Sequence, residues 1–188
     1  MVIVTVADVR RARSHDIGGL VTRTGQATLP LAGVWFRAAC YTSSIDGVDH
    51  LALVLGDVAA ADSDDHGVLL RVHSECLAGD VFGSRRCGCK ERLQQAIDLI
   101  VAEGAGEIVY LREHNGRGLG LSQKMQAYAR RDHVLETVDA STTLELSVKG
   151  REYRIAAAVL ADLGVRNLRL ITDNPRKYAV PTMSEAGA

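Results

Sequence analysis

Short apolar runs alternate with polar turns through the first half of the chain. Leu31 to Tyr41 (LAGVWFRAACY), His50 to Leu55 (HLALVL) and Gly67 to Val72 (GVLLRV) are rich in Val and Leu and predict strands. Ser43-Ser44-Ile45-Asp46-Gly47 and the polar stretch Ala61 to His66 separate them as turns. The second half changes period. From Glu91 to Glu103, apolar residues fall at Leu93, Ala96, Ile97, Ile100 and Val101, the spacing of one helix face, and Gly104 and Gly106 stop the pattern. Glu107 to Leu111 predicts a strand, Asn115 to Gly120 a glycine-rich loop, and Leu121, Met125, Tyr128 and Ala129 a helix. A further helix is expected from about Glu152 to Leu163, closed by Gly164, followed by a strand at Leu168 to Thr172. Asp173-Asn174-Pro175 reads as a cap with proline at the first helical position. The sum is an α/β (α+β) fold with a mixed sheet, strand-rich first and βα-alternating later.

Composition adds exclusions. A chain of 188 residues suits one domain, and 47% apolar with 24% charged residues is globular rather than disordered. Lys+Arg (22) and Asp+Glu (23) balance to a net charge of -1, and aromatics are 4%, so nucleic acid is not an expected partner. No apolar run approaches the roughly 18 residues that span a bilayer. Met1 to Arg13 lacks a basic-then-apolar leader pattern, so the expected location is the cytoplasm, without a membrane partner.

The cysteines are the informative residues. Cys76, Cys87 and Cys89 crowd together, whereas Cys40 lies alone in an apolar run and reads as a small buried hydrophobe. A Cys-x-Cys pair can aim two sulfurs at one centre, and a third arrives from across the loop; three soft ligands select zinc over hard cations. Two readings stay open. A structural site closes with four protein ligands, for which His73 and Glu75 are the nearest further candidates, while a catalytic one keeps a position for water. Arg85, Arg86, Lys90 and Arg92 surround the cysteines with positive charge, which suits an anionic substrate beside a metal.

Arg71-Val72-His73-Ser74-Glu75-Cys76-Leu77-Ala78-Gly79-Asp80, closed by Cys87-Gly88-Cys89, resembles the GTP cyclohydrolase II family. The resemblance continues through Leu29-Pro30, Asp49-His50, Leu55-Gly56-Asp57, Gly116-Arg117-Gly118-Leu119-Gly120-Leu121, Tyr128-Ala129, Asp139-Ala140 and Thr172-Asp173-Asn174-Pro175-Arg176-Lys177. It implies a domain at 29-188 behind an extension at 1-28. It further implies a cytoplasmic homodimeric hydrolase that opens the imidazole ring of GTP, releasing formate and pyrophosphate on the way to riboflavin. Carried over by position, Cys76, Cys87 and Cys89 hold Zn2+ with water in the fourth place. Arg71, Val72, His73, Ser74, Glu75, Gly116, Arg117, Thr137, Thr172 and Lys177 bind the nucleotide, with Mg2+ on its phosphates. Tyr128 stands near the zinc and Arg151 at the α-phosphate.

Three departures fall on these positions. Arg112-Glu113-His114-Asn115-Gly116-Arg117 has an inserted residue relative to the family's Gln-Glu-Gly-Arg, leaving Glu113 or Asn115 for the role of the glutamate. Arg92 replaces a glutamine, and Lys149 replaces the aspartate two residues before Arg151. A glutamate accepts from guanine N1–H and the 2-amino group together, whereas an asparagine offers a single acceptor oxygen. Two alternatives to GTP hydrolysis follow: a paralogue acting on another nucleotide or stopping before pyrophosphate release, and a non-catalytic nucleotide-binding regulator.

Overall fold

A computed structural model describes residues 3–5, 19–58, 67–113, 120–133 and 145–172. Its strands are β1 (Ile3–Thr5), β2 (Val21–Leu31), β3 (Val34–Ser43), β4 (Asp49–Leu55), β5 (Val68–Ser74), β6 (Gly106–Leu111) and β7 (Asn167–Leu170). Three α-helices, α1 (Cys89–Glu103), α2 (Gly120–His133) and α3 (Glu145–Leu163), and one π-helical turn at Leu77–Val81 complete the described elements. One seven-stranded sheet runs in the order β1-β7-β5-β6-β4-β3-β2. Strand β5 is parallel to β6 and β7, and the remaining pairs are antiparallel, so the sheet is mixed as expected.

Side chains alternate across this sheet because successive residues of a strand point to opposite faces. Ala52 and Val54 of β4, Val109 and Leu111 of β6, and Val68 and Leu70 of β5 share a core with Ile155, Val159 and Leu160 of α3. Leu53, Ile108 and Leu69, one residue out of step, pack on the other face against Ile100 of α1. The sheet is thus sandwiched between α3 and α1. Helices α1 and α3 stop before Gly104 and Gly164, both left-handed, where the sequence places their ends.

Several boundaries differ from the sequence reading. The run Leu31 to Tyr41 is not one strand: Leu31 ends β2, and Ala32-Gly33 turn the chain with φ of 50° and 79° before β3 starts at Val34. Positive φ at both central residues is the two-residue hairpin geometry that matches strand twist. Strand β2 carries no apolar signal because most of its residues are exposed at the sheet edge. It begins at Val21, upstream of Leu29. Helix α3 starts at Glu145 rather than about Glu152 and continues through Gly150. Strand β7 ends at Leu170 rather than Thr172. The expected cap and proline at 173–175 and the turn at Ala61 to His66 lie outside the described residues.

Candidate functional site

Parallel strands β5 and β6 end side by side, with His73 paired to Tyr110 and Ser74 to Leu111. The chain leaving β5 therefore enters the π-helical turn at the C-terminal end of these two interior strands. Cys76 precedes that turn, and Cys87 and Cys89 come from the loop that opens α1. The ligand atoms of these three cysteines lie within 4.8 Å of one another, with Cys76 Sγ 3.4 Å from Cys87 Sγ. Zn–S bonds of about 2.3 Å at tetrahedral angles separate sulfurs by roughly 3.8 Å, so the trio fits a zinc ion.

The turn is shaped around the sulfurs. Gly79 N–H donates to Cys76 Sγ at 3.2 Å. A Cβ at Gly79 would stand 2.8 Å from Cys87 Sγ and 3.0 Å from both Cys76 Sγ and Cys89 Cβ, so only glycine fits. Asp80 holds the turn from behind. Its Oδ2 accepts the Cys76 N–H at 2.9 Å, pairs with His73 Nε2 at 3.0 Å and accepts the Tyr110 hydroxyl at 2.8 Å. Burial pushes the Asp80 carboxyl up, but His73, the Cys76 N–H and Tyr110 outweigh it and hold the pKa below its ordinary value. His73 also stacks on Tyr110, with ring centroids 5.4 Å apart. It is committed to Asp80 and stands behind the sulfurs rather than among them.

Helix α2 supplies two further groups one turn apart. Lys124 Nζ donates to Cys76 Sγ, and the buried Tyr128 hydroxyl stands beside Cys87 without a hydrogen bond of ordinary geometry among the described residues. Burial opposes the Lys124 charge, yet Cys76 and Cys87 raise its pKa overall. Burial and the two neighbouring sulfurs push Cys89 up to about 12. Three thiols this close resist joint ionisation, which is the donor set a divalent cation stabilises. Arg86, from the cysteine loop, lies 5.4 Å above the Tyr128 ring and donates to the Tyr128 carbonyl at 3.4 Å.

Beside this centre, Arg71, Arg92, Gln95, Asp98 and Thr172 line a cavity of about 560 Å³. Arg71 is buried and donates to the Ile171 carbonyl at 3.0 Å. Arg92 connects the cavity to the cysteine loop, its guanidinium 3.5 Å from the Cβ position of Gly88. Glu75 lies at the end of β5, where its side chain accepts the Glu113 N–H and its own N–H donates to the Leu111 carbonyl at 2.8 Å. Glu113 itself takes a left-handed φ of 60°, uncommon for a residue with a side chain.

The sequence-predicted residues therefore divide. Cys76, Cys87, Cys89 and Tyr128 meet at one centre, and Arg71, Arg92 and Thr172 meet at one cavity. Val72 faces the core under α3, and Ser74 closes β5. Asn115, Gly116, Arg117, Thr137 and Lys177 lie outside the described residues, and Lys149 and Arg151 are placed only as backbone positions in α3. Cys40 sits on β3 opposite Leu51, away from the trio, and no fourth protein ligand joins it among the described residues. Lys124 and the Asp80 anchor were not singled out from sequence as site residues. Lys124 carries a faint signal, four residues before Tyr128 on one helix face.

Residues 22–187 match the family described as GTP cyclohydrolase II. A riboflavin biosynthesis protein RibBA of Mycobacteroides abscessus is 47% identical over 94% of this chain and 42% of its own length. A probable bifunctional riboflavin biosynthesis protein, RIBA 2, of Oryza sativa is 49% identical over 94% of this chain and 31% of its own. The Mycobacterium tuberculosis RibBA is 46% identical over 94% and 41%. The chain thus spans less than half the length of these curated relatives. A two-domain 3,4-dihydroxy-2-butanone 4-phosphate synthase from A. baumannii superposes with a TM-score of 0.44 at 17% identity, covering 91% of this chain and 38% of that one. That likeness is too loose to bear on the argument. The sulfur trio and the match over nearly the whole chain converge: this protein belongs to the GTP cyclohydrolase II family.

Proposed function

We propose that the protein is a zinc-dependent hydrolase that opens the imidazole ring of GTP, releasing formate and pyrophosphate in riboflavin biosynthesis. The observation that carries this reading is the meeting of three sulfurs, with no fourth protein ligand among the described residues, beside an arginine-lined cavity. A site with three protein ligands is the catalytic pattern for zinc. Cys76, Cys87 and Cys89 would hold the ion, which when bound supplies a Lewis acid that activates water near neutral pH.

The chain's own residues perform the remaining work. Purine C8 is a poor electrophile, and its ring nitrogen needs a proton as the bond to carbon breaks. The Tyr128 hydroxyl, buried beside Cys87, is a neutral side-chain donor close to the sulfurs. Arg71 and Arg92 supply guanidiniums for nucleotide oxygens, and Thr172 adds a hydroxyl to the same cavity. Arg117, Lys177 and Mg2+ would hold the phosphates, with Arg151 at the α-phosphate. Val72, His73, Ser74, Glu75, Gly116 and Thr137 complete the proposed nucleotide contacts. Glu113 or Asn115 would meet the base. A homodimer is the proposed assembly.

A second reading is favoured by Arg92, which lines the cavity where the family has a neutral amide. A cation there adds donors toward the nucleotide and disfavours guanine's donor edge. Zinc-loaded protein given a panel of purine nucleoside triphosphates distinguishes the readings by mass spectrometry and pyrophosphate release. Turnover of GTP with one pyrophosphate per formate supports the first. Preference for another purine, or retained triphosphate, supports the second. Tight binding with no turnover of any nucleotide supports the regulator.

A further inference from the structure

We propose that Lys124 is the resident counter-cation of the metal centre: its ammonium, held on Cys76 Sγ, offsets the negative charge that three thiolates leave around zinc and thereby sets metal affinity. This inference rests on the zinc reading above. Three thiolates and one Zn2+ sum to a charge of −1, which makes the ion a weaker Lewis acid than one held by neutral ligands. A cation placed on a sulfur brings the sum to zero without occupying a coordination position.

The geometry selects Lys124 for this part. It comes from α2, an element separate from both segments that carry the cysteines, and its stem crosses to the cluster while the exposed residues beside it, Met125 and Leu121, stay at the surface. A lysine on an exposed helix ordinarily keeps its ammonium in water. Here Nζ is turned onto Cys76 Sγ and lies 5.8 Å from the centroid of the Tyr128 ring. Cys76 Sγ therefore takes two donors, the Gly79 N–H and the Lys124 ammonium. Each donor draws electron density from that thiolate and leaves the metal more electrophilic. The two donors differ in kind, since the Gly79 amide is neutral and Lys124 alone of the pair carries charge.

Zinc affinity of the full chain, measured by competition with a chromophoric chelator, tests the inference together with the sulfur-to-cobalt charge-transfer band of the Co2+-loaded protein. Lys124→Met removes charge and donor, Lys124→Gln keeps an N–H donor without charge, and Lys124→Arg keeps both. Residues behind metal ligands typically change affinity about tenfold to a hundredfold, so Lys124→Met and Lys124→Gln are expected to bind zinc at least about tenfold more weakly, with Lys124→Arg close to wild type. The cobalt band should move to longer wavelength in Lys124→Met. Wild-type affinity in Lys124→Gln assigns the effect to hydrogen bonding and overturns the charge role; wild-type affinity and an unmoved band in Lys124→Met overturn the inference entirely. Circular dichroism establishes that each variant is folded, and Lys124→Gln carries the test if Lys124→Met is not. A wild-type chain that takes up neither metal defeats the zinc reading itself, a result distinct from either of these.

Discussion

The Asp80 carboxylate accepts the backbone N–H of Cys76 at 2.9 Å and so couples a proposed metal ligand to the end of the sheet. The same oxygen engages His73 on β5 and Tyr110 on β6, so the position of Cys76 is set by two paired strands. Asp80→Asn keeps the size but faces some of these donors with an amide N–H. Hydrogen bonds to charged groups contribute about 1.5–3 kcal/mol, so a loss of that order is expected in urea denaturation, together with reduced zinc content. Unchanged stability and full zinc occupancy would show that the turn holds itself.

Gly79→Ala tests the close packing of the turn on the sulfurs. The added methyl meets Cys87 Sγ at 2.8 Å, and neither the sulfurs nor the backbone can yield without opening the trio. Overpacking of this kind costs about 1–3 kcal/mol. The variant should fold yet retain little zinc by elemental analysis; full occupancy would mean that the turn relaxes freely.

Tyr128 provides a proton-transfer test. The Tyr128→Phe variant keeps the ring against Arg86 and removes only the hydroxyl. General acid–base groups contribute about 10²–10⁴-fold, so kcat for formate release should fall by at least about a hundredfold with zinc content unchanged. A kcat within a few-fold of wild type would remove Tyr128 from the chemistry.

Far from the site, Asp162 closes the α3 side of the sheet. It accepts from the Tyr41 hydroxyl at 2.7 Å and from Arg23 Nε at 3.0 Å. Burial raises the Asp162 pKa, but Tyr41 and Arg23 lower it more, so the folded value lies below the ordinary one. A depressed carboxylate stabilises the fold above the unfolded pKa of about 3.9 and loses that contribution as pH falls through the folded value. The group is half exposed, so Asp162→Asn should cost only about 1 kcal/mol at pH 7. Thermal melts of both proteins should converge as the pH is lowered below that range; a gap independent of pH would assign the loss to packing.

Much of this was legible in the residues. The helix-period stripe of Leu93, Ala96, Ile97 and Ile100 marks α1, and the spacing of Cys76, Cys87 and Cys89 marks the sulfur cluster, because both signals are local. Strand β2 was not, since an edge strand has little apolar face to advertise and pairs through its backbone. Nor was the Asp80 anchor, whose partners His73 and Tyr110 are brought together by parallel pairing of β5 with β6 although 36 residues of chain lie between them. Lys124 eluded the reading for a similar reason: a lysine on an amphipathic helix looks like any solvated charge until the fold sets a sulfur against it.

The most direct measurement follows the carbon atom that the proposed reaction removes. GTP labelled with ¹³C at C8, incubated with zinc-loaded protein and observed by ¹³C NMR, should lose the purine C8 resonance as the formate resonance grows to an equal amount. Chelation of the zinc, or Cys87→Ser, should stop the conversion. A label that stays in the purine ring while zinc occupies the site would contradict the account.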